Sequence, residues 1–153
     1  MRSKKRVYIA YGSNMSREQM MYRCPTARVI GTGVLKGYEL NFCGNKNGRN
    51  FATVIKKEGA NTPVVLWSTT SDDEVRLDYY EGHPTFYRKE MIQRDTLEMS
   101  DISTVFDEAY IYIMNSEHLG MPCNSYFGGI YYAYKDFGID TKYLDEALAR
   151  SSH

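Results

Sequence analysis

The run Val7-Tyr8-Ile9-Ala10-Tyr11 passes directly into Gly12-Ser13-Asn14, and the organisation of the chain follows from that junction. Five apolar, β-favouring residues predict a first strand, and glycine, serine and asparagine then suit a tight turn. Ser16, with Gln19 three positions later, has the pattern of a capping box, and Pro25 restricts Cys24, so a short helix is expected over Arg17 to Arg23. The opening unit is strand, polar loop, helix.

Moving outward, Val29-Ile30-Gly31, Gly37 to Phe42, Phe51 to Ile55 and Val64 to Trp67 read as four further strands, separated by turn-rich stretches such as Cys43 to Gly48. Strands so closely spaced favour a curved or barrel-like sheet. Ser71-Asp72-Asp73-Glu74 supplies a second capping box, with Ser71 as the cap, and predicts a helix to about Tyr80. Gly82 suits the left-handed position just past that helix, and Pro84 cannot continue it. Tyr87 to Arg94 and Ala109 to Ile113 read as later strands, Asn124 to Lys135 as a helix after Pro122, and Asp140 as the cap of a last helix ending near Arg150. The polar stretch Asp95 to Thr104 reads as a surface loop. With no internal repeat and no linker, residues 1–153 read as one domain.

Composition narrows the function classes. Of 153 residues, 42% are hydrophobic and 25% charged, which suits one buried core and not a disordered chain. Basic and acidic side chains number 19 each, so no net field favours nucleic acid or an anionic membrane as a partner. The short basic start of Arg2, Lys4, Lys5 and Arg6 reads as a frayed, solvated terminus. The 14 tyrosines, each with an apolar body and a polar tip, are expected where the core meets water or a pocket. Cys24, Cys43 and Cys123 are odd in number and lack a CxxC pair, which suits reduced thiols in a cytoplasmic protein. No apolar run approaches the roughly 18 residues of a transmembrane helix, and no signal-peptide pattern follows Met1 to Arg6, so a soluble protein is expected.

The common catalytic patterns fail here. There is no G-x-S-x-G frame and no glycine-rich loop with lysine, and His83, His118 and His153 do not form H-E-x-x-H, so no metal ligand set is expected. Two features remain. Glu81 falls in the last turn of a helix, facing the negative end of the macrodipole, where a carboxylate pKa is pushed upward. It reads either as a solvated surface residue or as an acid/base group working near neutral pH. Tyr11-Gly12-Ser13-Asn14 reads either as a plain turn or as a cradle, in which Gly12 lets a ligand approach the backbone, N–H groups hold an anion, and Ser13 and Asn14 add polar contacts. Tyr131, Tyr132, Tyr134 and Phe127 read as packing for the late helix.

Taken together, Tyr8 to Met15, Leu77-Asp78-Tyr79-Tyr80-Glu81-Gly82 with Tyr87-Arg88, Ala109 to Tyr112, and Pro122 to Tyr126 with Ile130 resemble the γ-glutamyl cyclotransferase-like family in order and spacing. The specific pairing is Y-G-S-N after a first strand with a later D-x-x-E-G-x-P helix end. This resemblance implies an α+β fold of a single domain, with a mixed β-barrel-like sheet, a few flanking helices and a cavity at one mouth. It implies acyltransferase or lyase chemistry in which a γ-glutamyl amino acid or amine closes to 5-oxoproline. By the same resemblance Tyr11, Gly12, Ser13 and Asn14 hold the α-amino and α-carboxylate end, Glu81 moves the proton, Tyr126 lines the pocket, and no cofactor is needed. The partner is then a small γ-glutamyl molecule, with the protein a monomer or homodimer. A same-fold enzyme that processes a γ-glutamyl group on a biosynthetic intermediate, and a non-catalytic small-ligand-binding module, are the alternatives. The chain departs from the pattern at His83, where relatives often carry an apolar residue, and at Val64-Val65, where a glycine is common; both bear on substrate choice.

The absence of ligand spacing predicts metal-independent turnover. Dialysis against a strong chelator should leave the rate of 5-oxoproline release unchanged, and a large loss restored by zinc or magnesium would contradict the reading.

Overall fold

The expected first strand forms as β1 (Arg6–Ala10), and the rest of the sheet is laid out around it. The computed structural model describes residues 5–44, 48–101 and 103–152. Among these residues, β1 is joined by β2 (Arg28–Gly44), β3 (Asn50–Thr69), β4 (Tyr87–Gln93), β5 (Leu97–Met99) and β6 (Glu108–Met114) in one mixed sheet, ordered β4-β6-β1-β3-β2-β5. β1 runs antiparallel to β3 and parallel to β6. Its continuous apolar run suits a strand buried on both faces, and Val7, Tyr8, Ile9 and Ala10 are all buried.

The sheet curls into a half-barrel because its longest ladder, β2 on β3, is interrupted. Between the pairs Lys36↔Asn61 and Tyr38↔Lys56, β2 has only Gly37 to set against residues 57–60 of β3. Gly37 (φ 83°) and Gly59 (φ 84°) take left-handed backbone there, which side chains with a Cβ rarely adopt, so the ladder bends and continues. This corrects the expectation of four separate strands: Val29 to Gly31 and Gly37 to Phe42 are both parts of β2, and Phe51 to Ile55 and Val64 to Trp67 are both parts of β3. Local turn signals mark bulges here, because partners on the facing strand keep the chain extended through them.

Helices α1 (Arg17–Arg23), α2 (Ser71–Tyr80), α3 (Asn124–Asp136) and α4 (Lys142–Ser151) follow the expected order. Ser16 caps α1 through its side chain, accepting from the Gln19 N–H at 3.2 Å. For α2 the cap is Thr70 and not Ser71: Thr70 Oγ1 accepts from the Asp73 N–H at 3.1 Å while the Asp73 carboxylate accepts from the Thr70 N–H at 2.9 Å. Asp73 is fully buried and also accepts from Thr26 Oγ1 at 2.7 Å, which is why the box is anchored one residue earlier than the sequence suggests. At α4 the cap position is Thr141, although Asp140 does accept from the Lys142 N–H at 2.9 Å.

The stretch Asp95 to Thr104 is not all loop. Leu97 is buried and Leu97–Met99 pairs with β2 as the short edge strand β5, a pairing that a three-residue apolar signal cannot announce. Arg6 also departs from its reading as frayed terminus. It lies in β1, pairs with Glu74 at 3.2 Å and stacks over the Tyr110 ring at 5.1 Å, whereas Arg2 and Lys4 lie outside the described residues. Residues 45–47 of the Cys43 to Gly48 turn, and Ile102 of the later loop, also lie outside them. Cys24, Cys43 and Cys123 are free thiols, and among the described residues no helix is long and apolar enough to cross a membrane.

Thr70→Ala should lower unfolding free energy by about 1 kcal/mol, and Ser71→Ala by less than about 0.5 kcal/mol, in urea titrations. A larger loss at position 71 would return the cap to Ser71.

Candidate active site

Strand β1 ends at Ala10, and the chain turns at Gly12 into a single 3-10 turn, Ser13–Met15, closed by the Met15 N–H donating to the Gly12 carbonyl at 3.0 Å. The turn delivers Asn14 to the interior, where it is 2% exposed. Trp67 of β3 donates its indole N–H to the Asn14 carbonyl at 3.0 Å. The Asn14 amide Nδ2 donates to the Tyr8 hydroxyl at 3.1 Å and to Glu81 Oε1 at 3.3 Å, and its Oδ1 accepts from Arg23 Nη1 at 3.0 Å. A buried asparagine with both polar atoms of its side chain engaged sits at the centre of the cleft.

Glu81 reaches this point because α2 stops in a defined way. Glu81 is the C-cap, Gly82 takes the left-handed conformation (φ 63°), and the His83 N–H donates to the Asp78 carbonyl at 2.9 Å while the Gly82 N–H donates to that of Tyr79 at 3.2 Å. This Schellman closure turns the chain sharply and points the carboxylate away from solvent. Burial pushes Glu81 up to about 7, and the Arg23 guanidinium opposes that rise. The direction matches the sequence expectation, but the cause is desolvation, which outweighs the helix macrodipole invoked there.

Glu81, Gly12, Ser13 and Asn14 line one cleft with Ala52 and five tyrosines, Tyr8, Tyr11, Tyr87, Tyr112 and Tyr126. The enclosed space is narrow, about 30 Å³, and opens to solvent at its mouth. The structure therefore brings together the six residues expected at the site from the sequence: Tyr11, Gly12, Ser13, Asn14, Glu81 and Tyr126. Three of the phenols are pinned by backbone. Tyr126 accepts from the Ala52 N–H at 3.0 Å, Tyr87 donates to the Ala52 carbonyl at 2.8 Å, and Tyr11 donates to the Tyr112 carbonyl. Burial holds Tyr8, Tyr11, Tyr87, Tyr112 and Tyr126 well above the usual phenol range, so all five are neutral donors or acceptors.

Gly12 has a second use beyond ligand approach. A Cβ placed on it would lie 3.1 Å from Ala52 Cβ and 3.5 Å from the Tyr126 hydroxyl, so the glycine lets β3 and α3 close on the turn. Sequence reasoning missed Tyr8, Tyr87, Tyr112 and Ala52. The tyrosines were readable as strand residues, and Tyr110 and Tyr112 share a face of β6, but a pocket tyrosine and a core tyrosine have the same periodicity. His83 stands outside the cleft, edge-on to Tyr112 with ring centroids 6.3 Å apart. Among the described residues no group of His, Cys, Asp and Glu is arranged to hold a metal ion.

The arrangement is one carboxylate of near-neutral proton affinity, walled by neutral phenols, facing a backbone turn. Such a cleft can bind a small polar molecule and pass a proton to and from it.

Comparison with known proteins gives this cleft a family. The pattern of the family described as gamma-glutamyl cyclotransferase, AIG2-like, matches residues 8–127 and so spans both the Tyr11–Asn14 turn and Glu81. No curated protein matches in sequence. A solved gamma-glutamyl cyclotransferase superposes with a TM-score of 0.78 at 23% identity, over 95% of this chain and 88% of that one. An uncharacterized protein from Homo sapiens gives 0.79 at 22%, over 95% and 87%. A yeast gamma-glutamyl cyclotransferase specific to glutathione gives 0.61 at 10%, over 97% and 96%. At these identities the three structures establish a shared fold, a single domain built on a curled mixed sheet. From the match over residues 8–127, the chain belongs to the gamma-glutamyl cyclotransferase, AIG2-like family.

Proposed function

We propose that the chain converts a γ-glutamyl amino acid or γ-glutamyl amine to 5-oxoproline and the free amine, with Glu81 as general acid/base. The observation that carries the reading is the Glu81 carboxyl, buried beside Asn14 and raised to about 7 within a cleft lined by the Tyr11–Asn14 turn. The substrate's α-ammonium has a reference pKa of about 8, so a carboxylate poised one unit below can take its proton without being spent at working pH.

The α-amine then attacks the γ-carbonyl of the same molecule. A five-membered ring closes as the new C–N bond forms, and the carbonyl electrons move onto oxygen. Protonated Glu81 gives its proton to the leaving nitrogen and, again a carboxylate, takes the second proton from the ring nitrogen. The old C–N bond breaks as the carbonyl re-forms, and that second proton passes from Glu81 to the released amine, which departs as an ammonium ion. Atoms and charge balance with no further reactant. The turn Gly12 to Asn14 supplies polar contacts for the α-carboxylate end, and the phenols narrow the space so that the glutamyl chain is held bent. Intramolecular attack in a held geometry reaches effective molarities of about 10⁵–10⁸ M.

Incubation with a panel of γ-glutamyl compounds, glutathione included, should yield 5-oxoproline from at least one member. Glu81→Gln keeps size and polarity but cannot carry a proton, so kcat should fall by about 10²–10⁴-fold while binding of an unreactive γ-glutamyl analogue persists. In the native protein kcat/KM should rise with pH through about 7, because only the ionised carboxyl is a base. An active but unstable Glu81→Gln protein would make Glu81 a structural residue.

The same burial has a signed effect on stability. The folded pKa of about 7 lies above the ordinary 4.5, so protonated Glu81 stabilises the fold below pH 4.5, and that stabilisation is lost as pH rises through 7. Glu81→Gln should therefore exceed the native protein in stability at pH 8, by up to about 3 kcal/mol, and match it near pH 4. Equal unfolding curves at both pH values would show that the carboxyl is not desolvated.

A further inference from the structure

We propose that Arg23 is a positioning residue that acts on Glu81 through Asn14: its guanidinium fixes the Asn14 amide in the one orientation that presents N–H to the carboxylate. The catalytic meaning of this rests on the role proposed for Glu81; the geometry and the test do not.

The orientation follows from donor chemistry. A guanidinium has hydrogen-bond donors and no acceptor, so the amide atom 3.0 Å from Arg23 Nη1 must be the oxygen, Oδ1. The NH₂ group is thereby turned the other way, with its hydrogens directed at the Tyr8 hydroxyl and at Glu81 Oε1. The flipped amide would set its NH₂ against the guanidinium and its oxygen against both the phenol and the carboxylate. The Tyr8 hydroxyl can donate or accept and so does not choose, the carboxyl of Glu81 chooses only when ionised, and Arg23 enforces the orientation in both protonation states of Glu81.

Arg23 is itself held for this purpose. It is the last residue of α1, and its guanidinium lies over the Tyr80 ring, 4.6 Å from the centroid, next in sequence to Glu81. A basic residue at a helix C-terminus is ordinarily explained by the macrodipole. That role leaves the side chain free in solvent, whereas this one is turned onto an asparagine that is 2% exposed.

The other titratable groups around the cleft are Tyr8 of β1, Tyr11 just past it, Tyr87 of β4, Tyr112 of β6 and Tyr126 of α3, all kept neutral by burial. On the turn that carries Glu81, His83 lies outside the cleft. Arg23 is the charge that opposes the effect of burial on Glu81. With Oε1 committed to the Asn14 amide, proton exchange with a ligand falls to Oε2.

The test is a substrate-free ¹³C NMR titration of the glutamate side-chain carboxyls, with the Glu81 signal assigned by its loss in Glu81→Gln. Arg23→Met should move the Glu81 midpoint upward from about 7 by about one pH unit. Asn14→Ala should move it in the same direction, and the double variant should move it by less than the sum of the single shifts, because the part of the Arg23 effect carried by the amide is lost with either residue while its direct charge effect is not. Arg23→Ala or Asn14→Ser replaces either variant that does not fold. An unmoved midpoint in folded Arg23→Met, or a double-variant shift equal to the sum of the single shifts, would overturn the proposal. A merely structural Arg23 would lower the melting temperature without displacing the midpoint. Failure of every γ-glutamyl compound to give 5-oxoproline would end the proposed activity and leave this titration to be judged separately.

Discussion

The contact between the Asn14 amide and the Glu81 carboxyl ties the two halves of this fold together. Asn14 arrives from the turn after the central strand and Glu81 from the end of α2, 67 residues later, and they meet at 3.3 Å. An ionised carboxylate is costly to take out of water unless donors face it. The constraint on the fold is therefore to hold a polar pair still inside an aromatic wall. The indole of Trp67 and the 3-10 closure fix the backbone of Asn14, and the Schellman turn at Gly82 fixes that of Glu81.

The helix that bears Glu81 is anchored at both ends, by groups that apart from Tyr112 do not line the cleft. At its start Asp73 is buried against Thr70 and Thr26. Toward its end Asp78 accepts from the Tyr112 hydroxyl at 2.6 Å and pairs with Lys89 at 2.8 Å, and Lys89 also reaches Glu74 at 2.6 Å. Tyr112 stands edge-on to Tyr8, with centroids 5.8 Å apart, so the surface of α2 is linked through one phenol to the strand beneath the site. Partly buried pairs of this kind contribute modestly to stability, but they limit how far the helix can shift. A proton-transfer group needs that limit, because displacements near 1 Å already weaken catalysis.

Much of this was legible from local chemistry. The bounds of α1 and the end of α2 follow from Ser16, Gln19, Gly82 and Pro84, all within a turn of the positions they decide. The six residues expected at the site were named from the sequence and lie together in one cleft, with Glu81 identified by its place at a helix end and in a motif. Its environment was not readable, since Tyr8, Tyr112 and Tyr126 reach it from three distant segments. The joining of four short strands into β2 and β3 was hidden for the same reason. Gly37 and Gly59 look like chain breaks locally, and only the facing strand makes them bulges. Arg23 carried no signal at all, because its partner is fixed by tertiary packing.

The central claim is that the cleft holds a γ-glutamyl group folded back on itself with its amine against residue 81. A crystal structure of Glu81→Gln with an uncleaved γ-glutamyl compound tests this directly. The account predicts the α-nitrogen about 2.6–3.2 Å from the side chain at position 81 and about 3–3.5 Å from the γ-carbonyl carbon, with the α-carboxylate on the Gly12 to Asn14 turn. An extended glutamyl chain with its amine remote from position 81, or a ligand seated outside the tyrosine-lined cleft, would contradict it.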